Sequence, residues 1–76
     1  MIFKKVVEVI SDELIIRQNE ISATTRLRED LNVDSLDVVE LITDLEHIFK
    51  VTISDEEAAA LRTVGDIVNL LESYQR

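Results

Sequence analysis

The 76-residue sequence has no cysteine, no proline and no tryptophan, and only one glycine (Gly65) and one histidine (His47). Without cysteine there is no disulfide, no thiolate nucleophile and no cysteine metal site. One histidine excludes any two-histidine metal centre, and one glycine excludes a glycine-rich phosphate loop. Cations are scarce as well: eight Lys and Arg stand against sixteen Asp and Glu, a formal net charge of −8. A phosphate backbone or an anionic membrane surface would be repelled by such a chain, which argues against nucleic acid and membrane insertion and for basic protein partners. No apolar run approaches the roughly 20 residues of a membrane span. Glu8 and Asp12 arrive too soon after Lys4 and Lys5 for a signal or transit peptide, so a cytoplasmic location is expected. The length suits one domain over residues 1–76, with a modest core.

Since the usual breakers are missing, helix limits must be read from caps and changes of period. Residues 2–16 place Phe3, Val6, Val7, Ile10 and Leu14 at helical spacing, with Lys4, Lys5, Glu8 and Asp12 opposite. The period then dissolves between Arg17 and Val33 into a long loop pinned by Ile21, Leu27 and Leu31. A second helix is expected over 35–50, where Val38, Leu41, Ile42, Leu45, Ile48 and Phe49 recur every three or four residues. Ser54-Asp55-Glu56-Glu57 is a capping-box pattern and predicts a short third helix through Leu61. Thr63-Val64-Gly65-Asp66 predicts another box, opening a fourth helix whose face carries Val64, Ile67, Val68, Leu71 and Tyr74. Lys50-Val51-Thr52-Ile53 is β-branched but has no partner strand. The expected fold is all-α: a four-helix bundle with a short third helix and a long loop between helices one and two.

Intrinsic catalysis finds no support. Ser35 and His47 share one helix, twelve residues and therefore about 18 Å apart, far beyond hydrogen-bond reach. Asp30, Asn32 and Asp34 have the first three spacings of a calcium loop, but Ser35 stands where that loop needs Gly and Leu41 where it needs a bidentate Glu. No metal site is expected.

Asp34-Ser35-Leu36-Asp37 is the informative stretch. Read plainly, Asp34 caps the second helix and Asp37, at the third helical position, completes the box. Ser35 is then the first helical residue, and its hydroxyl is not needed for capping. It lies among unpaired N–H groups at the positive end of the helix dipole, which accommodates a phosphate ester. Leu36 lies nearly opposite the apolar stripe, on the side shared with Glu40, Thr43 and His47 and bordered by Asp44. An apolar side chain on an acidic face beside an exposed serine reads either as a docking contact or as a lone surface leucine.

At these residues the sequence resembles the acyl carrier proteins. Asp34-Ser35-Leu36-Asp37, continued by Val39-Glu40-Leu41, resembles the attachment motif of that family, and Thr63-Val64-Gly65-Asp66 a second signature. Ile53-Ser54-Asp55-Glu56-Glu57-Ala58 is similar to the family's third-helix start, with Ser54 at a usual proline. The resemblance implies a 4′-phosphopantetheine arm on Ser35, installed by a phosphopantetheinyl transferase and carrying acyl groups as thioesters, on a protein that is no enzyme itself. It further implies that Asp34, Leu36, Asp37, Glu40, Thr43, Asp44 and His47 meet partner enzymes of fatty-acid synthesis and acyl transfer, with Leu36 as the apolar anchor and the acids Asp37, Glu40, Asp44 and Glu46 steering toward basic patches. Val39, Ile42, Leu45, Phe49, Ala59, Leu61 and Val68, core in the plain reading, would part to shelter an acyl chain. A monomer is expected, because only Leu36 is left over once the core is assigned.

The sequence also departs from the family pattern. Asn32-Val33 replaces a frequent Gly-Ala, Thr43 a frequent exposed Met, and His47 and Ile48 residues that are commonly acidic. Three readings stay open at this point: a carrier for fatty-acid synthesis, a carrier for a polyketide, peptide or cell-wall-modifying pathway, and a non-carrier helical interaction module in which Ser35 is only a helix-start residue.

Overall fold

The computed structural model describes residues 2–75 and consists of four α-helices: α1 (Ile2–Leu14), α2 (Ser35–Phe49), α3 (Asp55–Ala59) and α4 (Val64–Tyr74). The expected bundle is therefore the observed one, and α3 is a helix of only five residues. Each of the three later helices starts with a reciprocal capping box. Asp34 Oδ1 accepts from the Asp37 N–H at 2.9 Å while Asp37 Oδ2 accepts from the Asp34 N–H at 3.3 Å. Ser54 pairs with Glu57, and Thr63 with Asp66, in the same way. Each box satisfies donors that a helix N-terminus otherwise leaves orphaned, which is why breaks can be sharp without proline.

The C-termini of α1 and α2 use left-handed residues where glycine is the common choice. At α1, Ile15 has φ 56°, and the Ile16 N–H returns to the Ser11 carbonyl at 3.1 Å. At α2, Lys50 has φ 56° and the Val51 N–H returns to Glu46 O at 3.1 Å. Both are the six-to-one closure of a Schellman motif. The helix expected over 2–16 thus ends at Leu14 because the chain turns left-handed at Ile15, a β-branched residue for which that conformation costs about 1–2 kcal/mol. Asn32, the third non-glycine residue with positive φ (55°), occupies this conformation more readily, since its short polar side chain tolerates it.

α1 lies between α2 and α4 and packs on both. Its buried residues are Val6, Val7, Val9 and Ile10, which meet Leu41, Ile42 and Leu45 of α2 and Val64, Ile67, Val68 and Leu71 of α4 in one core. Because α1 is covered from two sides, its apolar arc is wider than the expected stripe. Val9 joins the core, and Phe3 in the first turn is left 38% exposed. The expectation that only Leu36 would remain outside the core is corrected: Val39 is 60% exposed and Ile15 is 91% exposed, beside Leu36 at 66%.

The long loop is ordered by its pins and by α4. It contains a 3₁₀ turn at Gln18–Glu20 and buries Ile21, Leu27 and Val33. Its backbone then bonds to the start of α4: Leu27 N–H to Arg62 O at 2.9 Å, Val64 N–H to Thr25 O at 3.0 Å, and Gly65 N–H to Ala23 O at 2.8 Å. A Cβ placed on Gly65 would stand 3.0 Å from that same Ala23 oxygen. The single glycine is thus where two backbones come closest, a use that no larger residue serves without a shift of the loop.

Candidate functional site

Ser35 is the first residue of α2 and is exposed. The cap belongs to Asp34 and Asp37, so the serine hydroxyl has no part in starting the helix. It borders a depression of about 220 Å³ that is also lined by Leu27, Arg28, Val38, Val39, Asp55, Ala58, Ala59 and Leu61. A second depression of about 150 Å³, between α2 and α3, shares Val38, Val39, Asp55 and Ala58 and adds Ile42, Thr43, Glu46 and Ile53. The serine therefore stands at the mouth of a mostly apolar groove, one wall of which is the short α3.

Of the seven residues proposed to shelter an acyl chain, Val39, Ile42, Ala59 and Leu61 line these two depressions. Leu45 and Val68 lie in the closed core instead, and Phe49 packs against it half-buried. α3 is tied to its neighbours by few polar bonds. The Tyr74 hydroxyl of α4 donates to Glu57 Oε1, and the Ile53 N–H donates to Glu46 Oε2 at 2.7 Å. The bond from Tyr74, joined by one from the Ser54 N–H, holds the Glu57 carboxyl below its ordinary range, because both donors favour the charged form. Glu46 is thereby committed to the loop before α3 rather than left to face a partner.

The expected partner face is brought together on α2. Leu36 stands three and four residues before Val39 and Glu40, Thr43 stands four and three residues after them, and all four are exposed. Val39 thus adds a second apolar side chain to Leu36 on this face while also bordering the groove. Thr43 turns its hydroxyl back onto the Val39 carbonyl, to which it donates at 2.8 Å. Asp34 and Asp37 lie at the helix start beside Ser35. His47 and Asp44 belong to a different hollow, of about 360 Å³, which they line with Val9, Asp12, Glu13 and Ile48.

That hollow contains a residue to which no pattern in the sequence points. Glu13 of α1 reaches Asp44 of α2, and hydrogen bonding to that carboxylate, with partial desolvation and repulsion from Asp44 and Glu40, pushes its carboxyl up to about 7. A shared proton is the reason: two carboxylates in hydrogen-bond contact cannot both ionise cheaply. The folded state then binds a proton that the unfolded chain, with an ordinary value of 4.5, has released. Stability from this pair is present at low pH and is lost as pH rises from about 4.5 through 7. Glu13→Gln is expected to flatten the fall of Tm between pH 5 and pH 8, and to melt higher than the wild type at pH 8. Parallel melting curves for the two proteins would rule this out.

The comparisons with known proteins agree with this geometry. Residues 4–71 match the family profile of the phosphopantetheine attachment site. The chain is 43% identical over 74 residues to an acyl carrier protein of Clostridium acetobutylicum, with 97% of this chain and 96% of that one covered. A Mycobacterium tuberculosis structure assigned to the acyl carrier proteins superposes with a TM-score of 0.92 at 31% identity, covering 97% of this chain and 99% of that one. The acyl carrier protein of Enterococcus faecalis superposes with a TM-score of 0.81 at 35% identity, covering 95% and 91%. The chain belongs to the phosphopantetheine-carrying family of acyl carrier proteins.

The group carried by this family is 4′-phosphopantetheine, and the residues present fit it. An exposed serine outside the cap can take the phosphodiester, and the groove beside it is apolar enough to receive a flexible chain. When bound, the group supplies a terminal thiol on which acyl groups are held as thioesters. The chain itself has no thiol. Among the described residues no helix is long and apolar enough to cross a membrane.

Proposed function

We propose that Ser35 is the attachment point of 4′-phosphopantetheine and that the chain is a monomeric, cytoplasmic carrier that presents acyl intermediates to the enzymes of fatty-acid synthesis and catalyses nothing itself. The observation that carries this reading is the position of Ser35: first in α2, exposed, free of capping, and at the mouth of the α2–α3 groove. Val39, Ile42, Ala59 and Leu61 are the groove residues best placed to meet an acyl chain. The excess of carboxylates that keeps copies of the chain apart also supports the monomer.

The test is intact mass before and after incubation with coenzyme A, magnesium and a broad-specificity phosphopantetheinyl transferase. A gain of one phosphopantetheine unit supports the reading. No gain, from a sample also unmodified as purified, would reduce Ser35 to a helix-start residue. Loading with short, long and branched acyl groups then separates fatty-acid synthesis from a specialised pathway.

Leu36 and Val39 are the apolar centre of the proposed partner face, with Glu40 as the charge least committed to structure. Exposed charges of this kind act mainly on encounter rates with basic surfaces. Glu40→Lys is expected to slow association with a partner synthase by about threefold or more at low salt, with the difference shrinking as salt screens it. Equal rates for both proteins at low salt would remove Glu40 from the encounter surface.

A further inference from the structure

The groove beside Ser35 contains one cation. Arg28 lines the same depression as the serine, although it comes from the long loop. Its backbone is fixed on both sides. The preceding residue, Leu27, is buried and bonded to Arg62 O at 2.9 Å, and the Arg28 carbonyl accepts from the Asn32 N–H at 3.1 Å. Among the described residues its guanidinium makes no ion pair, whereas nearby Arg26 is occupied by Asp30 through bonds of 3.1 and 3.3 Å. Asp55 borders the same depression without pairing with Arg28. On a chain of net charge −8, an anchored and unpaired arginine in the groove of the proposed attachment serine is a feature the carrier reading leaves without a use.

We propose that Arg28 binds the phosphodiester of the arm once it is attached to Ser35, and so lays the arm into the groove rather than out into solvent. The inference rests on Ser35 being the attachment point. The ester places a permanent negative charge within the first bonds of the Ser35 side chain. The planar guanidinium fork suits two phosphate oxygens. The positive end of α2 adds to the attraction from the other side. Asp34 and Asp37 lie at the same helix start, but their carboxylates are directed to backbone N–H groups in the capping box.

The experiment compares the arm-loaded wild type with loaded Arg28→Gln, Arg28→Lys and Arg62→Gln. Arg62 borders the adjoining depression and serves as a control of equal charge change. The phosphorus resonance of the wild type is expected to differ from that of Arg28→Gln, with Arg28→Lys between them and Arg62→Gln like the wild type. Salt at 0.5 M, about the point where the screening length falls to a few ångströms, is expected to move the wild-type resonance toward that of Arg28→Gln. In the wild type the Arg28 Nε–H resonance is expected to shift when the arm is added. Alkylation of the arm's thiol by a neutral reagent is expected to run about twofold to fivefold faster in Arg28→Gln, the range an exposed charge pair supplies.

Identical phosphorus resonances and alkylation rates in wild type and Arg28→Gln, with an unmoved Arg28 Nε–H, would overturn the proposal and leave the carrier reading standing. So would an equal effect from Arg62→Gln, which would mean a general field rather than a contact. Failure of the wild type to gain the arm at all would overturn the carrier reading at Ser35, and this inference with it.

Discussion

Ser35→Ala is expected to show no mass gain at all with coenzyme A and transferase, while its melting temperature stays within a few degrees of the wild type. The two halves of this result have separate causes. Alanine offers no oxygen for a phosphodiester, so loading falls to nothing rather than to a fraction. The helix, however, is started by Asp34 and Asp37, whose reciprocal bonds do not involve the serine side chain. At the first helical position alanine is, if anything, the better residue, by about 0.5 kcal/mol. For a domain of this size that is about 2–4 °C. Intact mass and thermal melting of the same samples check both halves. A loaded Ser35→Ala protein would move the attachment point to another serine, and a collapsed one would make Ser35 structural.

Leu45→Ala is expected to unfold much of the population at moderate temperature, and Val39→Ala to be nearly silent. Both residues are apolar positions of α2 that the family resemblance assigns to the same acyl-sheltering set. Leu45 is 0% exposed and Val39 is 60% exposed. Truncating a closed core leucine costs about 2–5 kcal/mol, because the transfer energy is lost and a cavity is left. A chain of this length has only about 4–11 kcal/mol of total stability. The expected drop in Tm is therefore about 10 °C or more for Leu45→Ala, against a few degrees at most for Val39→Ala. Thermal melts of the two variants decide the matter. Equal, small effects would show that the interior near Leu45 is already loose enough to absorb a missing side chain.

That pair of residues also marks how far the sequence could be read. The helices and their beginnings were legible because each rests on a local rule: three- and four-residue apolar spacing for α1, α2 and α4, and reciprocal boxes at Asp34, Ser54 and Thr63. The stretch that carries the family resemblance was legible because Asp34 to Asp37 is one uninterrupted turn. What escaped depends on residues distant in the chain. Apolar spacing put Leu45 on the stripe of α2 and left Val39 off it, but it could not place Val39 at the rim of a groove, because that rim is made by where α3 lies. The contact of Glu13 with Asp44 joins two helices, and neither carboxylate stands out on its own. Arg28 is one of three arginines in the loop, and no pattern around it sets it apart from Arg17 or Arg26. Ile15 gave no hint of ending α1, since a β-branched residue is the last choice for a left-handed turn.

The backbone bonds between residues 23–27 and residues 62–65 bear on the order in which the molecule is expected to fold. Helices α1 and α2 are each local and can flicker into being early, but the loop that joins them finds its long-range backbone partners at the start of α4. Closing so wide a loop in the chain costs entropy before any contact repays it. The connection between the first two helices should therefore be among the last parts of the molecule to settle. The groove beside Ser35 is complete only then, because Leu27 and Arg28 supply part of its wall. A folding intermediate of this chain would have Ser35 in place on α2 but no finished surface beside it.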